Sequence, residues 1–302
     1  MKKILALTII LTLTFTDLYS CDICGGGAGN YYVGLLPQFN KKLIGIRYQF
    51  NQLNTNLDIH GNKTALSNTE KYQTLDIWGA WNIGNKWRVM TTIPYSFIEK
   101  EHLGTNQIFK KQGLSDLTLT GYYNLLKITR SNINQSIWIG TGIKLPTGKY
   151  NNLEVKNNSP NIFQLGTGST DFLTQLNYDI NINSWGLNTT INYKINTKNT
   201  DEYKYGNKLT TNISFYRSLK FGYNTRLIPN IGVLYENQQK DQTMKYDIDQ
   251  TGGNILQGSY GIEATTGKIS IGANYQKPIS QKIASNRVDL TNKYMIHISY
   301  SF

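Results

Sequence analysis

The chain is poor in the residues that most chemistry needs. It has two cysteines, three histidines and six prolines among 302 residues. No run inside the chain reaches the roughly 18 apolar residues that a spanning helix requires, and mean hydropathy is −0.40. A helical membrane protein is therefore excluded. A membrane barrel is not, because lipid-facing and lumen-facing residues average out along each strand. Lys and Arg outnumber Asp and Glu by 31 to 19, for a formal charge of +12. They are scattered rather than packed into a basic run or an Arg-rich helix, which argues against nucleic acid as a partner. No G-x-S-x-G, no H-E-x-x-H and no strand-following P-loop occurs, so no enzyme is indicated. His60 and His102 fall in polar stretches, which leaves His297 as the one histidine on a regular strand pattern.

What is abundant is tyrosine (21), glycine (27) and, throughout, Asn, Thr and Ile. That is a β-rich composition with polar turns. The last ten residues show the pattern most plainly. Tyr294, Ile296, Ile298, Tyr300 and Phe302 alternate with Lys293, Met295, His297, Ser299 and Ser301. A soluble sandwich could end on such an edge strand. Alternation to an aromatic C-terminus suits better the closing strand of a transmembrane barrel, with lipid on one face and a polar lumen on the other. It also resembles the terminal signature of bacterial outer-membrane proteins.

The same alternation recurs along the chain. It predicts about twelve strands, among them Leu43–Leu53, Trp185–Asn196, Phe221–Tyr235 and Lys268–Lys277. Polar stretches separate them, alternately long and short. Glu101–Gln112 and Pro278–Asn292 read as long loops, and Gly84-Asn85, Asn183-Ser184 and Thr266-Gly267 as tight turns. An even strand count with one set of long loops and one of short turns is the plan of a Gram-negative outer-membrane barrel. The predicted fold is all-β: a transmembrane antiparallel β-barrel of about twelve strands over residues 43–302, with a short N-terminal periplasmic tail. Pro94 is awkward inside a closed sheet and predicts a bulge. On the inward face, Asn188, Asn192, Lys194, Asn274, Gln276, His297 and Ser299 form a polar, slightly basic lumen row.

Residues 1–20 read as a signal peptide. Lys2 and Lys3 precede an apolar Ile4–Phe15 stretch, too short to span. Residues 21–42 form a tail that opens Cys21-Asp22-Ile23-Cys24 and runs into glycines. Leu18-Tyr19-Ser20-Cys21 partly matches a lipobox, so lipidation of Cys21 is one reading. The two thiols can also close a disulfide or chelate a soft metal such as copper. No His follows Cys24, so covalent haem attachment is not indicated.

Three stretches go beyond pattern. They are Gly113-Leu114-Ser115-Asp116-Leu117, Gly142-Ile143-Lys144-Leu145-Pro146-Thr147-Gly148-Lys149-Tyr150 and Leu165-Gly166-Thr167-Gly168-Ser169-Thr170-Asp171. Together they resemble the family named for the MetA pathway of phenol degradation, predicted outer-membrane barrels akin to transporters of hydrophobic compounds. The motif core spans about residues 113–180. Pro146 and the glycines fit a strand that stops sharply and a loop that folds back over a barrel mouth. The resemblance implies a channel for small solutes, hydrophobic and aromatic ones included, with outer-membrane lipid and the barrel-assembly machinery as partners. The cysteine tail lies outside the motif. It leaves a second reading open, a non-transport scaffold whose tail binds a soft metal or a periplasmic partner.

Overall fold

The structure, a computed structural model, describes residues 41–151 and 161–302. The expected signal peptide, the Cys21/Cys24 tail and part of the long loop after Tyr150 lie outside these residues. Twelve strands form the wall: β1 (Leu43–Thr55), β2 (Asn68–Ile83), β3 (Trp87–His102), β4 (Ile108–Leu114 and Leu117–Thr129), β5 (Ile133–Leu145), β6 (Asp171–Ile182), β7 (Trp185–Ile195), β8 (Lys208–Arg217, continued by Leu219–Phe221), β9 (Thr225–Gln238), β10 (Gly253–Thr266), β11 (Ile269–Ile283) and β12 (Asp289–Ser301).

Each strand pairs antiparallel with the next, and β12 pairs with β1. The closing register sets Ile44 opposite Tyr300, Ile46 opposite Ile298 and Arg47 opposite His297. The Phe302 N–H donates to the Lys42 carbonyl at 3.1 Å, so pairing runs to the last residue. Closure leaves the twelve-strand circuit without a free edge, which lipid would not tolerate; among the described residues the Ile108–Leu114 half of β4 pairs with β3 alone.

Alternation decides which face each residue takes. Ile44, Ile46, Ile77, Leu119, Ile139, Ile191, Ile213, Ile271, Ile296 and Ile298 point outward and are exposed. Arg47, Asp76, Trp78, Lys144, Asn192, Lys208, Glu236 and His297 point inward and are buried. In water this face assignment is inverted. In a bilayer each outward aliphatic side chain gains about 2 kcal/mol from leaving water, and the polar groups keep one another company inside.

Two long loops of the sequence reading are strand instead. β3 and β4 run on past the expected loop start and leave only 103–107 as connection. β11 continues through Pro278 to Ile283, and only 284–288 links it to β12. The cause is visible at Glu99, whose carboxylate meets Lys71 and Lys110 at 3.1 Å each. Cross-strand ion pairs let a polar hairpin persist where polarity alone reads as loop. Pro278 is absorbed by a register shift between Leu256 and Gln257. Phe221 belongs to the end of β8 rather than the start of β9, whose turn is 222–224. Pro94 faces the break in β4, where the Ser115 N–H donates to the Pro94 carbonyl at 2.9 Å.

The remaining connections keep the expected asymmetry. Turns at 84–86, 130–132, 183–184, 222–224 and 267–268 close one end. Loops 56–67, 196–207 and 239–252, with 146–151 and 161–170, cover the other. A small sheet of Tyr203–Lys204, Gln242–Thr243 and Tyr246–Asp247 ties two of these loops together.

Candidate functional site

The loop end is built around one buried ammonium. Lys144 points inward from the end of β5, and its Nζ lies 2.7 Å from Asp116 Oδ2 and 2.6 Å from Asp171 Oδ2. The first contact is an aligned hydrogen bond; the second is ionic. Asp116 also accepts the N–H groups of Gly148 (3.0 Å) and Thr167 (2.9 Å) and the Thr167 hydroxyl (3.0 Å). Asp171 accepts the Ser169 hydroxyl and the Thr197 N–H, both at 2.9 Å. Carboxylates this deep are tolerable only when paired and fully hydrogen-bonded. Gly148 and Gly166 touch: a Cβ on Gly148 would sit 2.7 Å from the Leu165 carbonyl oxygen. The three motif stretches of the sequence thus converge on one anchor for the β5–β6 loop.

That anchor lays residues 161–165 across the mouth. Ile162 and Leu165 pack with Leu53, Tyr72, Ile98, Ile255, Ile283, Val288 and Leu290 in one apolar cluster. Backbone carbonyls of the loop are claimed by the wall and a neighbouring loop. Lys111 donates to Phe163 O (2.7 Å) and Tyr205 to Asn161 O (3.0 Å), while the Tyr72 hydroxyl, which donates to Glu70 at 2.5 Å, lies 3.2 Å from Ile162 O. The ammonium groups of Lys100 and Lys111 lie 5.2 and 4.6 Å from the centre of the Phe163 ring.

Below the mouth the interior is ionic. Arg47 and Asp76 stand directly opposite on β1 and β2, and both Nε and Nη2 of Arg47 lie 2.7 Å from Asp76 Oδ2. Gln49 donates to the same oxygen at 2.7 Å. Lys208 on β8 meets Glu236 on β9 at 3.1 Å. His297 Nε2 lies 3.7 Å from Glu263 Oε2, two strands away on the same row. Four large inward rings rest on glycines directly across the strand pairing: Trp78 on Gly45, Tyr122 on Gly140, Tyr216 on Gly186 and His297 on Gly272. A Cβ at Gly45 would lie 2.8 Å from Trp78 Nε1, and one at Gly140 2.6 Å from Tyr122 Cδ1. Only glycine lets these rings lie against the wall.

The sequence-predicted lumen row falls on this inner surface. Asn192, Lys194, Asn274, Gln276, His297 and Ser299 are buried, and Asn188 is half-buried. Asn188 donates to Asp179 at 3.3 Å, Asn274 to Ser259 at 3.0 Å and Gln276 to Asn274 at 3.1 Å. Lys194 faces Lys208 across β7 and β8. Among the described residues, Asn192 Oδ1, Gln257 Oε1, Gln276 Oε1 and both amide atoms of Gln238 have no hydrogen-bond partner. The row missed the ion pairs, although strand parity alone places Arg47, Asp76 and Lys144 on the same face; Glu236 lies just past the expected strand Phe221–Tyr235, and β9 runs on through it to Gln238. Cys21 and Cys24, the predicted metal ligands, lie outside the described residues. Among the described residues no group of three or more His, Cys, Asp or Glu is placed to hold a metal ion.

Solved structures with this geometry are outer-membrane barrels. An outer membrane channel from Pseudomonas putida F1 superposes with a TM-score of 0.62 at 13% identity, covering 87% of this chain and 96% of that one. The beta domain of the Bordetella autotransporter BrkA gives 0.54 at 10% identity, covering 87% and 100%. At these identities the likeness establishes the fold alone. No curated protein matches the chain. The family model described as the putative MetA-pathway of phenol degradation matches residues 47–280, and because that match takes in most of the 302 residues and all three converging motifs, the chain belongs to this family.

Proposed function

We propose that the barrel is an outer-membrane channel for small organic solutes. The observation that carries this reading is the interior. Arg47–Asp76, Lys208–Glu236 and His297–Glu263 are buried at the depth of the outward apolar band. Ionisable groups are costly there and mark solute or ion pathways. A merely structural interior would be as stable, or more so, filled with apolar side chains. The unmet amides of Asn192, Gln238, Gln257 and Gln276 support the same reading, since each costs about 1–3 kcal/mol unless water or a polar solute meets it. The family's phenol-degradation description agrees with small organic solutes, and no catalytic role is assigned to any residue.

Single-channel recording in planar bilayers, with liposome swelling in phenol, benzoate and a neutral sugar, tests the reading. Discrete conductance and faster swelling with the aromatic solutes are expected. Absence of both overturns it. Deleting residues 21–29 separates this reading from a scaffold that acts through its Cys21/Cys24 tail. Transport survives the deletion in the first case, and a soft-metal or partner role does not survive it in the second.

A further inference from the structure

The two ends of the barrel differ in charge. Lys41, Lys42, Lys86, Lys127, Arg130, Arg217, Lys220, Arg226 and Lys268 all lie at or beside the short-turn end. The five turns themselves contain no Asp or Glu. The nearest carboxylates are Asp179 and Glu263, which face inward, and the C-terminal group of Phe302. At the loop end, acids such as Asp58, Asp201, Glu202, Asp247 and Asp249 mingle with lysines.

Four of these cations have a fixed relation to an outward ring. Lys42 Nζ lies 4.2 Å from the centre of Trp81, Lys86 Nζ 6.0 Å from Tyr123, the Arg217 guanidinium carbon 4.7 Å from Trp185, and Lys268 Nζ 5.7 Å from Tyr300. The rings sit on β2, β4, β7 and β12, so the pairs are spread around the barrel. Trp and Tyr at a barrel rim occupy the head-group level of the bilayer. A cation held over the ring face is therefore kept at that same level.

We propose that the turn end carries a collar that binds anionic phospholipid head groups, with Lys42, Lys86, Arg217 and Lys268 as its outward contacts. The occupant is lipid because the collar is continuous with the apolar band that the bilayer must cover, and because its charge is of one sign where phosphates lie. The inference rests on the outer-membrane placement proposed above, to which it adds that the short turns face the periplasm, as they do in barrels of this plan.

The test uses the full chain reconstituted in phosphatidylcholine bilayers doped with spin-labelled phosphatidylglycerol or spin-labelled phosphatidylcholine. Electron spin resonance reads the fraction of each lipid held at the barrel surface. The protein should prefer phosphatidylglycerol by about fivefold, the factor that one basic residue near a head group supplies. Replacing the four contacts (Lys42→Gln, Lys86→Gln, Arg217→Gln, Lys268→Gln) should remove the preference, whereas Lys63→Gln with Lys149→Gln at the loop end should keep it. No preference in the natural protein, or a preference that survives the fourfold change, overturns the collar. If the fourfold variant does not fold, the pair Lys42→Gln and Lys268→Gln must show a partial loss, and an undiminished preference there overturns it equally. Failure of the natural chain to insert at all strikes the membrane placement, and insertion without preference strikes only the collar.

Discussion

Lys144 holds Asp116 at 2.7 Å although β4 and β5 bring the two side chains together only at the barrel's loop end. The same ammonium reaches Asp171 at the start of β6. Three segments far apart in sequence are thus fixed by one positive charge, and the mouth loop hangs from them. Replacing Lys144 with Met leaves two carboxylates buried and unpaired, a change of the kind that costs about 3–5 kcal/mol. The loss should fall on the loop. Limited proteolysis of folded protein in micelles should cut within 146–170 in the Lys144→Met variant while the barrel core stays resistant. Adding Asp116→Asn and Asp171→Asn should restore most of the protection, and a cleavage pattern unchanged by Lys144→Met would contradict the anchor.

Arg47 and Asp76 make a second, deeper pair, both buried on the inner face of the barrel. Asp76→Asn removes the negative partner and leaves the guanidinium with amide neighbours only on that side. Two effects follow. The variant should unfold at lower temperature in a gel-shift assay, with a loss of about 3 kcal/mol for a broken buried pair. Its channel should also become more anion-selective, read as a shift in reversal potential across a salt gradient. A selectivity equal to that of the natural protein would show that solute does not pass near Arg47.

The glycine seats predict an effect of size rather than charge. A methyl group at position 140 would meet the Tyr122 ring, whereas one at 45 would meet Trp78 and also lie 2.7 Å from the Ile298 carbonyl oxygen of the β12–β1 seam, so Gly45→Ala should cost stability as well. Gly45→Ala and Gly140→Ala should each push a ring off the wall toward the axis. Conductance should fall in both while the selectivity of the channel stays constant, because no charge has moved. Gly79→Ala is the control, since its Cβ would meet only the Leu43 carbonyl oxygen at an ordinary 3.5 Å, and it should leave conductance unchanged.

The barrel was legible in the sequence because lipid enforces a period of two on every strand, and Lys293–Phe302 carries that period without interruption. Strand ends were less legible. Glu101 and residues 108–112 read as loop by polarity, yet they are strand, held to the wall where Lys110 meets Glu99, which Lys71 also holds. Such partners are remote in sequence and no local pattern reveals them. The motif around Lys144 drew attention by its glycines and proline. Its ionic centre was not legible, because Asp116, Lys144 and Asp171 meet only once β4, β5 and β6 are in register. The inward row of Asn188, Asn192 and Lys194 followed from parity. The pairing of Lys208 with Glu236 required knowing which strand follows which around the wall.

The C-terminal residue gives the prediction that reaches furthest from the lumen. Phe302 closes the β12–β1 seam through its N–H, and its ring lies 5.3 Å from Trp81 and 6.5 Å from Tyr300 in the aromatic rim of the turn end. A strand that must pair with β1 to finish the barrel has its final residue where assembly ends. Deleting Phe302 removes one hydrogen bond and one outward ring from a wall of twelve strands, too little to unfold a barrel already closed. The loss should therefore appear in assembly rather than in stability. In cells the truncated chain should still be exported, should accumulate unfolded in the periplasm and should show reduced heat-modifiable species in outer-membrane fractions. Once refolded in detergent, it should melt close to the natural protein. Normal outer-membrane levels of the truncated chain would show that the terminal aromatic serves only the rim.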